Sequence, residues 1–275
     1  MIFVGPPGTS KSWYAQHIAA KLVDRDRNRA EFIQFHPSYQ YEDFIEGWVP
    51  KSSGGFERQE KLFLRVCRAA RDDPSHTYVI VIDELSRSDP GRVFGEALTY
   101  LERTRRGTDF RLASGEETSI PDNLVILATM NPMDRGVDEV DAAFERRFGK
   151  IAMDPDRDLL RSFLGESGME ATLQARVLRF FDSVQHIARY NEYARIGHAY
   201  FFNVANEDDL RTLWDHQLSF VFKKAFRLDP QGLDDIQRAW NGIFPRAAQA
   251  SEPGTSSGND SNGDAGGAGN SEPPA

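Results

Sequence analysis

The stretch GPPGTSKS at residues 5–12 fits the loop pattern G-x-x-x-x-G-K-[ST] at every defined position except the sixth, where Ser10 replaces the last glycine. In loops of this pattern, consecutive backbone N–H groups turn inward around a phosphate, and the positive end of the following helix lies behind them. A strand leads into such a loop and a helix follows it. The pattern therefore predicts an α/β arrangement here, with MIFV as a strand end and a helix that begins near Lys11.

Each position of the loop has a chemical task. Lys11 reaches the terminal phosphates, and Ser12 offers its hydroxyl to Mg²⁺, which bridges two phosphate oxygens. Serine at position 10 is a small polar substitute for a glycine that permits a tight turn. The alternative is a Gly/Pro turn that precedes Lys-Ser by chance. The candidate nucleotide-binding residues are Gly5, Pro6, Pro7, Gly8, Thr9, Ser10, Lys11 and Ser12.

Polar residues also follow two apolar runs further along the chain. Asp83 and Glu84 follow YVIVI at residues 78–82, and Asn131 follows NLVILATM at residues 123–130. One carboxylate can hold the Mg²⁺ shell with Ser12, the next can polarise an attacking water, and Asn131 can hydrogen-bond that water or the terminal phosphate. An acidic pair after a strand is also common as a solvated turn. Its combination with the loop favours hydrolysis of a nucleoside triphosphate.

The alternation of apolar runs and helical patterns predicts the fold class. Strands that are apolar on both faces and alternate with helices are typical of a parallel sheet covered on both sides. From about residue 156 to 244, Leu, Phe and Arg recur at helical spacing without a strand run, which indicates a smaller helical domain. Further predicted elements are a strand at 31–36, helices at 58–73, 91–102 and 137–148, a hairpin at 109–121 with its turn near Gly115, and a strand at 150–154.

Composition limits the partners and the location of the chain. The net charge of −9 argues against a chain that coats nucleic acid. The apolar runs are far shorter than the roughly 20 residues that cross a bilayer, and no secretory pattern is visible. The lone Cys67 cannot form an intramolecular disulfide and falls in a helical pattern, where a buried apolar role is favoured. We therefore expect a cytoplasmic protein without membrane association.

Three segments follow from these patterns. We predict an N-terminally short α/β nucleotide-binding core at 1–155 and a helical domain at 156–246. The remainder, 247–275, is rich in Gly, Ser, Asn and Pro and cannot bury enough apolar surface to order itself. We predict that it is a disordered tail.

Five stretches resemble the AAA+ ATPases of the dynein-related branch, and most closely the McrB type, the motor subunit of a modification-dependent restriction system. They cover about residues 1–225. The resemblance implies a P-loop NTPase core of the AAA+ type followed by a small helical lid, assembled as a ring oligomer, with a hexamer expected, in which nucleotide lies between adjacent subunits. The stretches are GPPGTSKS, QFHPSYQYEDFIEGWVP, VIDELSRSDPGRVFGEALTYLE, ATMNPMDRGVDEVDAAFERRF and RIGHAYFF.

The resemblance also assigns roles to individual residues. Asp134 joins Glu84 and Asn131 among the catalytic candidates because it belongs to a signature that is characteristic of McrB-type proteins. The matching residues are Lys11, Ser12, Asp83 and Glu84 in the two Walker motifs, Asn131 as first sensor, and Asp134 and Arg135 in the signature MNxxDR.

Arg146 and Arg147 in FERRF match the position from which such proteins offer an arginine finger to the nucleotide of the neighbouring subunit. A planar, always-charged guanidinium against the terminal phosphate stabilises transition-state charge, and delivery from a neighbour makes hydrolysis depend on assembly. The alternative is that both arginines are surface charges that end a helix and interact favourably with its dipole.

Three other features are less specific. The aromatic stretch at 39–44 is expected to pack a short helix against the sheet. His198 is more simply explained as a structural histidine than as a ligand, and Arg195 is a candidate second sensor by resemblance. The hairpin at 109–121 can face the pore of such a ring, but its acidic GEE tip argues against direct gripping of DNA.

Two functions from different classes fit these residues. The first is a ring motor that uses ATP, or GTP, with Mg²⁺ to drive a McrC-type nuclease subunit against foreign or modified DNA, which the motor itself contacts only indirectly. The second is a MoxR-like or chaperone-type ATPase that remodels a protein partner. A third possibility is a chain that binds nucleotide poorly and hydrolyses none, because McrB-type patterns usually include more chain before the phosphate loop.

Overall fold

A parallel sheet of five strands forms the centre of the α/β region in the computed structural model, which describes residues 1–133 and 142–244, with the backbone alone at 142 and 143. Two antiparallel hairpins accompany this sheet within the described residues. The strands are β1 (Ile2–Val4), β2 (Ala30–Gln34), β3 (Glu46–Pro50), β4 (Phe56–Glu60), β5 (Tyr78–Asp83), β6 (Asp109–Arg111), β7 (Glu117–Ser119), β8 (Leu124–Met130) and β9 (Lys150–Ala152).

Helices cover the sheet and make up the C-terminal part of the described chain. A π-helical turn, Trp214–Leu218, joins the ninth helix to the tenth. The helices are α1 (Lys11–Leu22), α2 (Tyr41–Phe44), α3 (Leu62–Asp72), α4 (Pro90–Phe94), α5 (Ala97–Tyr100), α6 (Ala142–Glu145), α7 (Arg157–Glu166), α8 (Ala171–Ile187), α9 (Glu207–Leu213), α10 (Ser219–Ala225) and α11 (Pro230–Asn241).

The order of the strands brings the polar motifs to one edge of the sheet. The order is β2-β5-β8-β1-β9, and every neighbouring pair is parallel. The strand before the phosphate loop, β1, therefore lies between β8 and β9, and β8 separates it from β5. The register pairs Val4 with Met130 and Ile82 with Ala128. Because parallel strands end at the same edge, the residues that follow β1, β5 and β8 meet there.

Burial on both faces explains why the apolar runs form a parallel sheet. Along β5 the side chains alternate between the two faces, as the period of a strand requires. Val79 and Val81 pack in the apolar cluster that includes α1, whereas Ile80 and Ile82 pack in the larger cluster that includes α3 and α4. In β5 and β8 the polar side chains that face the site therefore lie toward the carboxyl ends of the strands, where the site is built.

A separate set of buried side chains holds the helical region, residues 157–244, together. Trp240 of α11 packs edge-on against Phe180 of α8 and stacks on Trp214, with ring centroids 5.0 and 4.7 Å apart. This fully described stretch contains no strand. The predicted fold class, an α/β core followed by a helical region, is confirmed.

The two regions belong to one compact unit, residues 1–244. The boundary predicted at residue 155 therefore stays a prediction, and the predicted disordered tail lies outside the described residues. Within the described part of the chain, no helix is long and apolar enough to span a bilayer.

The prediction of a helix at 58–73 was wrong for its first residues, since the chain forms a hairpin there. β3 and β4 pair antiparallel, with Pro50 opposite Phe56, and Gly54 and Gly55 take positive φ values in the turn. The side chains of β4 are mostly exposed, so its sequence lacks the apolar alternation that marks a strand. By contrast, the hairpin predicted around Gly115 is confirmed as β6 and β7.

The helix predicted at 91–102 is interrupted at Gly95. This residue has φ 50, and a Cβ atom there would lie 2.7 Å from the Tyr41 ring. Tyr41 belongs to the aromatic stretch at 39–44, in which Phe44 is fully buried and both tyrosines pack against the core. The expected packing role of that stretch is confirmed, and the packing explains the break in the helix.

Candidate functional site

The phosphate loop, residues 5–12, is held closed by its own side chains. The Lys11 ammonium donates hydrogen bonds to the backbone carbonyl oxygens of Gly5 at 2.9 Å and Pro6 at 2.8 Å. Thr9 Oγ1 also donates to Pro6 O, at 3.0 Å. The lysine is therefore folded over the concave side of the loop, where an incoming phosphate would compete with the two carbonyl oxygens for its protons.

Two residues of the loop have left-handed backbone conformations. Gly8 has φ 78, and Ser10 has φ 63 and ψ 22. Glycine reaches this region freely, whereas a serine in it costs about 1 kcal/mol. Ser10 thus keeps the conformation of the glycine that the pattern calls for. The first N–H groups of α1, which begins at the next residue, have no intrahelical acceptor and face an anion favourably.

Charges of opposite sign meet beside the loop. Burial lowers the pKa of Lys11, and the carboxylates of Glu84 and Asp83 oppose that shift. The first residue of the acidic pair is anchored directly, because Ser12 Oγ donates to Asp83 Oδ1 at 2.7 Å. The structure therefore brings together the two residues predicted to hold Mg²⁺.

This pair of oxygen-bearing side chains fits Mg²⁺, which prefers oxygen ligands and keeps several waters or phosphate oxygens in its shell. Among the described residues, no group of three or more His, Cys, Asp or Glu side chains is placed to hold a metal ion by itself. A hydroxyl and one carboxylate are the protein ligands expected for an ion that is shared with phosphates. The donor set is thus consistent with the predicted Mg²⁺ site.

Thr129, a buried residue of β8, was missed by the sequence analysis. Its hydroxyl donates a hydrogen bond to Asp83 Oδ1. The same hydroxyl accepts a hydrogen bond from the Glu84 backbone N–H at 3.1 Å. A polar residue inside the apolar run NLVILATM, two positions before Asn131, was the available signal. Thr129 fixes both residues of the acidic pair from the neighbouring strand.

Glu84 has a strained backbone, with φ 57 and ψ 45. Non-glycine residues in this region are uncommon and cluster at functional sites. The side chain is partly exposed, and its Oε2 accepts a hydrogen bond from Arg87 Nε at 3.2 Å. The carboxylate is therefore held in one orientation while it remains accessible to water.

Asn131 follows β8 at the same edge of the sheet. The preceding residue, Met130, accepts a hydrogen bond through its carbonyl from the Gly5 N–H, at 3.2 Å. The half-buried Asn131 side chain accepts from the Met133 N–H at 3.1 Å. Asn131 is thus next to the start of the phosphate loop, where the sequence predicted the first sensor.

The two candidate finger arginines differ in their surroundings. Arg146 is exposed, whereas the Arg147 side chain is only 9% exposed and its Nε lies 3.6 Å from Glu102 Oε1 of the same chain. Of these two arginines, Arg146 is therefore the one at the surface, where another molecule can contact it. The third candidate of this segment, Asp134, lies outside the described residues, as does Arg135.

Comparison with known proteins shows which family this sequence matches. The model of the AAA domain of the dynein-related subfamily matches residues 1–148, which is more than half of the chain. This chain is a member of the dynein-related AAA family. Membership makes it a P-loop NTPase by class, and its sheet and loop are those of the predicted AAA+ core.

Two curated relatives belong to restriction enzymes. The chain is 33% identical to the type IV methyl-directed restriction enzyme EcoKMcrB subunit of Escherichia coli K12, over 73% of this chain and 47% of the relative. It is 27% identical to the type II restriction enzyme BsuMI component YdiS of Bacillus subtilis 168, over 54% of each. The chain thus spans about half the length of these relatives. The predicted resemblance of this AAA domain to McrB-type ATPases is confirmed.

Residues beyond the part matched by the family model also touch the phosphate loop of this AAA domain. The backbone N–H groups of Gly197 and Ala199 donate to the carbonyl oxygens of Pro7 and Gly8, each at 2.8 Å. A Cβ atom on Gly197 would lie 2.0 Å from Gly8 O, and one on Gly8 would lie 2.6 Å from the ring of Tyr200. The segment 197–200 therefore lies directly against the outer side of the loop.

His198 links this segment to two other elements. Its Nδ1 accepts from the Asp156 N–H at 3.1 Å, and its Nε2 lies 3.4 Å from Ser10 Oγ. Burial lowers the pKa of His198, and the Asp156 carboxylate partly opposes this shift. The candidate second sensor, Arg195, instead donates to Asp154 Oδ1 at 3.0 Å. The histidine interpreted as purely structural therefore contacts the phosphate loop.

Proposed function

We propose that this AAA domain hydrolyses a nucleoside triphosphate with Mg²⁺ and serves as the motor of a McrB-type restriction system. ATP is the first expected substrate and GTP the second. The observation that best supports the proposal is the contact between Ser12 and Asp83 beside the partly buried Lys11, which joins the two motifs for phosphate and metal in one place. The relatives from Escherichia coli and Bacillus subtilis both carry the words restriction enzyme in their names.

Each residue of the site then has a distinct task. The backbone N–H groups of residues 8–12 and the Lys11 ammonium bind the phosphates. Ser12 and Asp83 hold Mg²⁺, which neutralises charge on the terminal phosphates when it is bound. The Glu84 carboxylate, oriented by Arg87, accepts a proton from the attacking water.

The residues of the neighbouring strand complete this arrangement. The Asn131 amide hydrogen-bonds the water or the terminal phosphate, and Thr129 keeps the acidic pair in register with it. We retain Asp134 as a catalytic candidate on the strength of the MNxxDR signature.

A ring in which adjacent subunits share each nucleotide explains the exposed arginine. We assign the finger to Arg146, because its guanidinium is at the surface while Arg147 is engaged with Glu102. A guanidinium delivered by a neighbour is worth a large factor in the rate of phosphoryl transfer. A closed ring, with six subunits expected, is the simplest assembly for such head-to-tail contacts.

The partner in this proposal is a McrC-type nuclease subunit, which would make the contact with DNA indirect for the motor. The tip of the β6–β7 hairpin is consistent with that division of tasks: Glu116 pairs with Arg58 and Glu117 with Arg111, which leaves no surplus positive charge on these pairs to attract the phosphate backbone of DNA.

The direct test is the release of phosphate from ATP and from GTP with Mg²⁺, measured over a range of protein concentrations. Glu84→Gln keeps the shape of the side chain but removes the base, so the rate should fall by about 100-fold or more. Nucleotide binding should persist. Glu166→Gln, at an exposed position of α7, is the matched control and should hydrolyse nucleotide like the parent chain.

The outcomes distinguish the candidate functions. A rate that rises more steeply than protein concentration supports a shared site, and stimulation by a McrC-type subunit supports the restriction motor. Stimulation by a protein substrate with no response to the nuclease would favour the MoxR-like alternative. Equal rates for the parent chain and Glu84→Gln would contradict hydrolysis at this site.

A further inference from the structure

The serine at the sixth position of the phosphate loop has a partner in the helical region. Ser10 takes the left-handed conformation that suits glycine, so its side chain brings strain to the loop. Its hydroxyl lies 3.4 Å from Nε2 of His198, a residue 188 positions away in the sequence. The residue that departs from the loop pattern therefore meets a side chain from the helical region.

The hydrogen bonds of His198 determine its orientation. Nδ1 accepts from the Asp156 backbone N–H, so this nitrogen carries no proton, and in the neutral ring the proton is on Nε2. Nε2–H then points at Ser10 Oγ as a donor. The imidazole is almost fully buried, at 2% exposure, and cannot turn away without losing both contacts.

The backbone on either side of His198 also fixes the position of its imidazole. Gly197 and Ala199 donate to the carbonyl oxygens of Pro7 and Gly8. The hydrogen bonds of Gly197 and Ala199 therefore hold the backbone of His198 against the loop, and this backbone sets the distance between the imidazole and Ser10. A donor held in this way can select one rotamer of the serine.

We propose that Ser10 and His198 are a matched pair, in which His198 positions the serine so that the loop keeps a shape competent for phosphate binding. His198 is then a positioning residue for nucleotide, and the helical region contributes to nucleotide affinity through it. A chain with glycine at position 10 has no side chain to position and loses this dependence. The inference rests on the proposed function, because it concerns binding of nucleotide by the same loop.

The test is a double-mutant cycle on nucleotide affinity. Fluorescent ADP with Mg²⁺ is titrated into the parent chain, Ser10→Gly, His198→Ala and the double variant. Substitution of His198 should weaken binding by about tenfold when residue 10 is serine and by less than about threefold when it is glycine, because the effects of substitutions at interacting residues are not additive. An equal loss in both backgrounds would overturn the proposal.

Two further variants keep a purely structural effect apart from positioning. His198→Gln retains one acceptor and one donor and should recover part of the affinity lost in His198→Ala. Arg195→Ala removes a neighbouring side chain that contacts Asp154 rather than the loop, and its effect should be the same with serine or glycine at position 10. Failure of the glutamine to recover any affinity would contradict the positioning role.

Thermal unfolding without nucleotide separates this proposal from the proposed function. If the parent chain binds no nucleotide, the proposed function fails, but the pairing remains measurable as non-additive shifts in Tm for the same four proteins. Additive shifts in Tm would remove the pairing as well.

Discussion

The α/β region and the helical region contribute to the site in different ways. The α/β region provides the candidate side chains: Asp83, Glu84 and Asn131 stand at the carboxyl ends of β5 and β8, and Lys11 begins α1 after the phosphate loop. The helical region provides mainly backbone, since Gly197 and Ala199 donate hydrogen bonds to the outer side of the phosphate loop. Chemistry thus comes from one region, while the shape of the loop depends on both.

Substitutions in the two regions should therefore have different effects on the site. Substitutions at the strand ends remove a charge or a hydrogen bond from a framework that stays intact. Substitutions in the segment 197–200 disturb the loop through steric contact at Gly197 or through loss of the His198 contact with Ser10, and the role of this segment is to position the loop.

The largest effect is expected from Lys11→Met. The ammonium is partly buried and hydrogen-bonded to the loop, so its removal leaves the bound phosphates without the cation that the loop itself provides. The Kd for nucleotide, measured by calorimetry, should rise by about 100-fold, since truncating one member of a buried charge pair costs 2–5 kcal/mol. Lys21→Met, at an exposed position of the same helix, is the control. Comparable binding by both variants would contradict the assignment.

A smaller loss is expected from Thr129→Val, which removes a hydroxyl but hardly changes the volume of the side chain. The Glu84 N–H and the Asp83 carboxylate then lose a buried partner. An unsatisfied buried group costs about 1–3 kcal/mol, so the hydrolysis rate should fall by roughly 10- to 100-fold. Thr129→Ser restores the hydroxyl and should recover most of the rate. A rate for the valine variant equal to that of the serine variant would show that the hydroxyl has no role.

Gly197→Ala should act on stability as well as on binding. The added Cβ would lie 2.0 Å from Gly8 O, so the backbone must shift. We expect a loss of about 1–3 kcal/mol in the free energy of unfolding. Gly165→Ala is the matched control, because a Cβ there meets nothing within 4 Å and the substitution should stabilise α7 by up to about 1 kcal/mol. Denaturant titration of both variants measures the difference, and equal stabilities would contradict the close contact.

The smallest effect is expected in the alkylation of Cys67, which reports whether the α/β region unfolds locally. The thiol is 1% exposed, and burial raises its pKa to about 12. Because the thiolate is the reactive form, the native chain should resist alkylation at neutral pH, and only unfolding should expose the thiol. Rapid labelling without denaturant would show that this region opens readily.

The difference between the α/β region and the helical region also explains which site residues could be predicted from the sequence. Asp83, Glu84 and Asn131 were predictable because each ends an apolar run, and parallel strands bring such ends to one edge. Thr129 was missed because a single threonine within an apolar run resembles any other β-branched residue. The contact between Ser10 and His198 joins residues 188 positions apart, and no local pattern encodes it.

The fold shows a similar division. The sheet was predictable because its strands are buried on both faces, whereas β3 and β4 were missed because an exposed hairpin has no apolar alternation. The break at Gly95 depends on the Tyr41 ring from another element. Local patterns therefore predicted the framework, and the remaining features depend on contacts between distant residues.

A mixing experiment tests the central claim, that adjacent subunits share each site, most directly. Glu84→Gln lacks the base and Arg146→Ala lacks the finger, so each variant alone should be nearly inactive in phosphate release. In a random mixed ring, an intact base meets an intact finger at about a quarter of the interfaces. The mixture should therefore recover about a quarter of the parent rate. If the parent chain is active, the absence of any recovery in the mixture would contradict a site shared between subunits.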